Sequence, residues 1–112
     1  MKKRIAIPLE EGILCEHFGH CQQFAIVDAE GVTITGETLV TPPPHEPGVL
    51  PAWLAEKGVT DIIAGGMGYR AIDLFNRHKI NVFTGAPFKN YTDLVIDFLN
   101  GTLEAGANYC NH

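Results

Sequence analysis

The sequence predicts a single α/β domain carrying a mixed five-stranded sheet of order 3-2-1-4-5, with strands counted along the chain. Three observations lead there. Apolar or alternating runs of strand length recur through residues 4–84. The first three are joined without a helix, whereas the last two alternate with stretches of helical period. A length of 112 residues also allows one hydrophobic core rather than two.

Arg4-Ile5-Ala6-Ile7-Pro8-Leu9 is the first strand, with Pro8 expected to help end it. Glu10 to Gly19 carries charge, glycine and a Cys/His cluster, and reads as a loop. Gln23 to Asp28 is the second strand and Val32 to Val40 the third. The turn at Ala29-Glu30-Gly31 makes them an antiparallel hairpin. Pro42-Pro43-Pro44 then stiffens the connector 41–47, because consecutive prolines hold extended polyproline geometry.

From Gly48 the period changes. Leu50, Trp53, Leu54 and Lys57 share one helical stripe, Pro51 is tolerated in a first turn, and Gly58 stops the helix. Asp61-Ile62-Ile63-Ala64 is the fourth strand, apolar enough to be covered on both faces. Gly65-Gly66-Met67-Gly68 is a tight turn into a helix over Tyr69 to His78, and Ile80 to Thr84 is the fifth strand. Tyr91, Leu94, Val95, Phe98 and Leu99 repeat at i, i+3, i+4, i+7, i+8, so a third helix follows and ends at Gly101. The domain therefore spans residues 1–103, and 104–112 is expected to be a flexible tail bearing Cys110 and His112.

A helix-linked return from the third strand places the fourth beside the first, and the last crossover is right-handed. Ligands of open α/β sheets bind outside the carboxyl ends of the strands at such a switch point. The loop 10–21 and the turn Gly65–Gly68 should therefore face each other across one crevice.

Composition excludes several classes. A formal charge of −5 argues against nucleic acid as a main partner, since phosphate binding needs a basic face. No apolar run approaches the ~20 residues of a membrane span. Six residues after the basic start Lys2-Lys3-Arg4 are too few for a signal-peptide core. Three cysteines cannot all pair within one chain, so a reducing cytoplasm is the expected setting.

The soft ligands are concentrated. Cys15-Glu16-His17-Phe18-Gly19-His20-Cys21 puts two thiols and two imidazoles into seven residues, and Cys110-Asn111-His112 ends the chain. Thiolate with imidazole suits zinc, copper or an iron–sulfur-type cluster rather than magnesium or calcium. In a helical turn His17, His20 and Cys21 would share a face, and Cys15 would complete a tetrahedral Cys2His2 set. The bland alternative makes Cys21 a small buried hydrophobe and His17 a loop cap. Cys110 and His112 would either fold back over the crevice, bridge to a second chain in a homodimer, or fray. His78, between Arg77 and Lys79, reads as a surface histidine near a helix end.

Gly66-Met67-Gly68-Tyr69-Arg70-Ala71 formally fits a dinucleotide fingerprint, but the next strand ends Phe83-Thr84-Gly85, without an acid for a ribose. Glycine amides at a helix start still suit an anion, and a cluster with its sulfides is anionic. Met67 would contact that ligand or pack inward, and Arg70 would offer charge or a surface ion pair.

Several segments together resemble the nitrogenase iron–molybdenum cofactor-binding family of carriers and accessory proteins. They are Ile5-Ala6-Ile7-Pro8; Glu16-His17-Phe18-Gly19 with Phe24; His45 ahead of Pro47-Gly48-Val49-Leu50-Pro51; and Gly58 through Gly68. Arg70-Ala71, Leu74-Phe75, Ile80 to Gly85 and Leu99 to Leu103 complete the set, which covers roughly residues 4–103. The resemblance implies a three-layer α/β/α, ribonuclease-H-like motif and a non-catalytic carrier or assembly role for an iron–sulfur or molybdenum-containing metal–sulfur cluster. Cluster-donor or acceptor proteins would be its partners. It also marks His45 as a cofactor contact. Cys15, His20 and Cys21 depart from the commoner family pattern of serine, arginine and a small residue, which adds soft ligands here.

The expected cofactor-binding set is thus Cys15, His17, His20, Cys21, His45, Gly66, Met67 and Gly68. Cys15, His17, His20, Cys21, Cys110 and His112 are the expected metal ligands. The alternatives are a small zinc-binding interaction domain on the same ligands, or a metal-dependent hydrolase. The hydrolase would need clustered carboxylates at strand ends, and Glu10, Glu11 and Asp28 form no such cluster, so no catalytic residue is assigned.

Overall fold

The computed structural model describes residues 2–16, 21–44, 48–104 and 106–109, with 107–109 as backbone. The elements are β1 (Lys2–Glu10), β2 (Ile13–Leu14), β3 (Gln23–Glu30), β4 (Thr33–Val40), α1 (Val49–Glu56), β5 (Asp61–Ile63), α2 (Tyr69–Arg77), β6 (Asn81–Thr84), α3 (Tyr91–Leu99) and β7 (Ala107–Tyr109). The sheet runs β4-β3-β1-β5-β6-β7, and β2 pairs with β1. The order expected from sequence, 3-2-1-4-5, is the stretch β4-β3-β1-β5-β6. Both β1–β5 and β5–β6 are parallel, while β1–β3, β3–β4 and β6–β7 are antiparallel.

Two apolar layers cover the sheet. Ile5, Ile7, Leu9, Val27 and Ile63 pack with Leu94 and Val95 of α3 on one face. Ala6, Phe24, Ile62 and Val82 pack with Leu50 and Leu54 of α1 and Ile72 and Phe75 of α2 on the other. Successive side chains of a strand point to opposite faces, so a wholly apolar run such as Ile62-Ile63 can feed both layers. The result is the three-layer α/β/α arrangement, consistent with a ribonuclease-H-like motif.

Three details differ from the expectation. Pro8 does not end the first strand. β1 continues to Glu10, pairing Pro8 with Phe24 and Leu9 with Gln23, while past Ala6 its other side passes from β5 to β2. The start of the supposed loop is a hairpin: Glu11 (φ 52) and Gly12 (φ 81) both take positive φ, as a two-residue type I′ turn demands. Residues after Gly101 are not wholly irregular either, because Ala107–Tyr109 pair with Val82–Thr84 of β6. Among the described residues, no helix is long and apolar enough to cross a membrane.

Candidate functional site

Because β1, β5 and β6 are parallel, their carboxyl ends share one edge of the sheet. β3 starts and β4 ends at that same edge, where Phe24 is paired with Val40. Four connections therefore meet there: 11–22, 41–48, 64–68 and 85–90. They carry eight of the ten residues singled out above: Cys15, His17, His20, Cys21, His45, Gly66, Met67 and Gly68.

The first loop and the glycine turn do more than face each other. The Gly66 amide donates to the Glu16 carbonyl at 3.0 Å, and the Cys15 amide donates to the Pro8 carbonyl at 2.8 Å. A Cβ on Gly65 would stand 3.1 Å from the Cys15 carbonyl oxygen and 3.2 Å from that of Glu16; one on Gly66 would stand 3.2 Å from the latter. These two glycines permit two backbones to meet, which no side chain at either position would allow without displacement. At Cys15-Glu16 the two loops are therefore in direct backbone contact.

The two thiols differ in exposure. Cys15 is buried, 2 % exposed. Cys21 is half-buried beside the layer holding α1 and α2, and it lines a cavity of about 370 Å³ with Gln22, Thr41, Pro42, Pro43, Pro44 and Leu50. Neither is in a disulfide. The stiff proline connector, read from sequence as a spacer ahead of His45, forms the wall of this cavity.

At the glycine turn, Gly66 and Gly68 are exposed and Met67 packs inward against the layer of α1 and α2. α2 starts at Tyr69 with no side-chain cap at Gly68 and no acidic residue in its first turn. Arg70 lies exposed in that turn. The positive end of a helix beside exposed glycine backbone is suited to an anion.

Sequence reasoning missed the connection 85–90. The Gly85 amide donates to the Gly65 carbonyl at 2.7 Å, and the Leu14 amide to the Lys89 carbonyl at 3.2 Å. Ile13 also forms an isolated bridge with Asn90. Phe88, 61 % exposed, has its ring 3.5 Å from the position a Cβ on Gly65 would take. The signal was available in the topology, since a third parallel strand must end at the same edge.

His17, His20, His45, Cys110 and His112 lie outside the described residues, and so does any contact they make. Among the described residues, no group of three or more His, Cys, Asp or Glu side chains is placed to hold a metal ion. β7 runs from opposite Thr84 to opposite Val82, away from the loop edge.

A larger cavity, about 500 Å³, opens at the opposite edge beside Lys2, Lys3, Arg4, Asp28, Glu30 and Thr60. Two of its charges are engaged: Arg4 Nε meets Asp28 Oδ1 at 2.6 Å, and Arg4 Nη1 donates to the Lys57 carbonyl. Nearby Asp61, 2 % exposed, accepts from Thr60 Oγ1 at 2.7 Å and Asn81 Nδ2 at 3.1 Å, locking the start of β5 to β6. That edge carries structural bonds rather than soft ligands.

A model of the dinitrogenase iron–molybdenum cofactor family matches residues 1–101. The chain belongs to that family. An uncharacterized protein of Methanocaldococcus jannaschii is 31 % identical over 106 residues, covering 90 % of this chain and 89 % of that one. The crystal structure of PH0822 is similar with a TM-score of 0.86 and 33 % identity, covering 92 % of this chain and 94 % of its own. The apo form of the orange protein from Desulfovibrio gigas shares the fold, with a TM-score of 0.79, 23 % identity and coverage of 96 % and 95 %.

Proposed function

We propose that this protein is a non-catalytic carrier for a metal–sulfur cluster or its precursor, received from and passed to other proteins. One observation carries the reading: the half-buried Cys21 thiol lines a cavity walled by Pro42–Pro44, at the sheet edge where the glycine turn and α2 also begin. Membership of the cofactor family supports it, since its name attaches it to such cargo. Thiolate is a soft ligand, and the imidazoles of His17, His20 and His45 belong to the same loops and suit the same metals. The glycine turn and the start of α2 would face the cargo's negative charge, with Arg70 adding a cation. Cys21 with those imidazoles is the proposed ligand set. Cys110 and His112 are not included in it.

The test is anaerobic reconstitution with iron and sulfide, followed by the visible spectrum and metal and sulfide counts. Broad absorbance from roughly 300 to 450 nm, with bound sulfide, is expected of thiolate-held clusters. One colourless zinc per chain, or no uptake at all, overturns the reading.

A further inference from the structure

Exposed apolar side chains scattered singly over a surface are ordinary, whereas a group of them marks a contact surface. Three of the six large apolar side chains exposed among the described residues gather at the loop edge: Ile13 of β2, Tyr69 at the start of α2, and Phe88 between β6 and α3. Ile13 is the cross-strand partner of Glu10 and bridges to Asn90. Leu14 beside it fills the core layer under α3, so Ile13 faces the other way. The Leu14 amide donates to the Lys89 carbonyl, and the Phe88 ring stands 3.5 Å from the Cβ position of Gly65, itself 3.2 Å from the Glu16 carbonyl. These contacts join the hairpin and the connection 85–90 into one strip.

The strip has an acidic rim. Glu10, Glu11, Glu16 and Asp93 are exposed along it, Asp93 being tied to Asn90. Lys89, the cation within the strip, has its Nζ on Asp97 Oδ2 at 3.1 Å, and Arg70 lies beside Tyr69 on α2. The other lysines and arginines, Lys2, Lys3, Arg4, Lys57, Arg77 and Lys79, stand at the opposite edge, where β1 begins and α1 and α2 end. Apolar anchors inside a charged rim have the anatomy of a protein interface. We propose that this strip docks a protein that presents lysine or arginine around an apolar contact. The carrier reading, on which this part rests, makes that protein a donor or acceptor of the cargo, because the strip shares its sheet edge with the Cys21 cavity. A second copy of the chain is the weaker fit, since acids are interleaved along its basic edge. Arg4 Nε meets Asp28 Oδ1 at 2.6 Å, Arg77 Nε meets Asp73 Oδ2 at 3.0 Å, and Glu30 is the cross-strand partner of Lys2.

The experiment places the photoreactive residue p-benzoylphenylalanine at position 88, at position 13 or, as a control, at Val32, which is exposed in the turn between β3 and β4 at the opposite edge. Each full-length chain is irradiated in an anaerobic extract of its native cells, and the crosslinked peptide is sequenced by mass spectrometry. Positions 88 and 13 should capture the same protein, through a region rich in lysine or arginine, and position 32 should not. A Glu10→Lys, Glu11→Lys, Glu16→Lys chain with unchanged circular dichroism should form at least about tenfold less adduct, since like charges brought together at an interface repel strongly. The unreversed chain should lose adduct in about 1 M salt, where screening reaches ~3 Å, a measurement that stands even if the charge-reversed chain does not fold. The surface is overturned by no adduct at 88 or 13, by equal capture at 32, by an adduct that survives charge reversal or salt, or by an adduct to a second copy of this chain. A chain that takes up no iron and sulfide overturns the carrier reading instead, and crosslinking still decides the surface.

Discussion

The Gly66 amide and the Glu16 carbonyl are 3.0 Å apart, joining the two segments that the sequence separates by about fifty residues. The contact exists because β2 turns back along β1 and brings Glu16 to the end of β5, the parallel neighbour of β1. Gly65 tests how tight the junction is. Gly65→Ala places a methyl 3.1 and 3.2 Å from two backbone oxygens, which cannot rotate aside. We expect a loss of about 1–3 kcal/mol in urea unfolding, the range for overpacking. Gly68→Ala should leave the midpoint within a few tenths of a molar.

The cavity thiol should matter to cargo and little to folding. Cys21→Ser is expected to weaken cluster retention at least about tenfold, the lower end of the effect of groups that merely support a metal ligand. Thermal unfolding of the empty protein should barely move, because Cys21 is half-buried rather than central. A Cys110→Ser, His112→Ala chain should load like the parent. Absorbance and iron content after reconstitution check both.

Asp61 should behave in the opposite way. Asp61→Ala removes the carboxylate that accepts from the Asn81 amide at 3.1 Å and from the Thr60 hydroxyl at 2.7 Å, the hydroxyl keeping the Arg4 carbonyl at 3.2 Å as an acceptor. A hydrogen bond to a charged group is worth about 1.5–3 kcal/mol. The loss should appear in denaturant unfolding, while cluster loading, at the far edge, stays as in the parent.

Tyr91 predicts an alkaline dependence. Burial raises its pKa, and the charge of Glu37 and the hydrogen bond its hydroxyl donates to that carboxylate raise it further. The folded state therefore holds this proton more tightly than the unfolded chain does. The resulting stability is fully present below the ordinary tyrosine value of about 10 and is lost as pH climbs through the raised folded pKa. Glu37→Gln should move the titration back toward 10 but leave the part due to burial. Tyrosinate absorbance in a Tyr69→Phe, Tyr109→Phe chain reads the shift on Tyr91 alone.

Phe75 offers a control on the scaffold. It is fully buried between α2 and the sheet, and Phe75→Ala should cost about 3–5 kcal/mol by cavity formation. The measurement is a denaturant titration of the empty protein.

Local pattern was enough for the five main strands, the three helices and their order, because burying apolar stripes of period 2 and 3.6 leaves few packings. Ile62-Ile63 needed two covered faces, and Leu94 with Val95 needed one. It was not enough for β2, which rests on positive φ at Glu11 as well as Gly12, nor for β7, whose three residues gain their pairing only from the free edge of β6. The same division runs through the site. Sequence named the thiols, the histidine ahead of the proline-flanked helix and the glycine turn, since their chemistry is written in residue type and spacing. Only tertiary structure separated Cys15 from Cys21, brought Phe88 over Gly65, and spent the Gly66 amide on Glu16. Those outcomes depend on which backbone fills the space at the end of β5, a question of three-dimensional contact between segments that no one-dimensional pattern encodes.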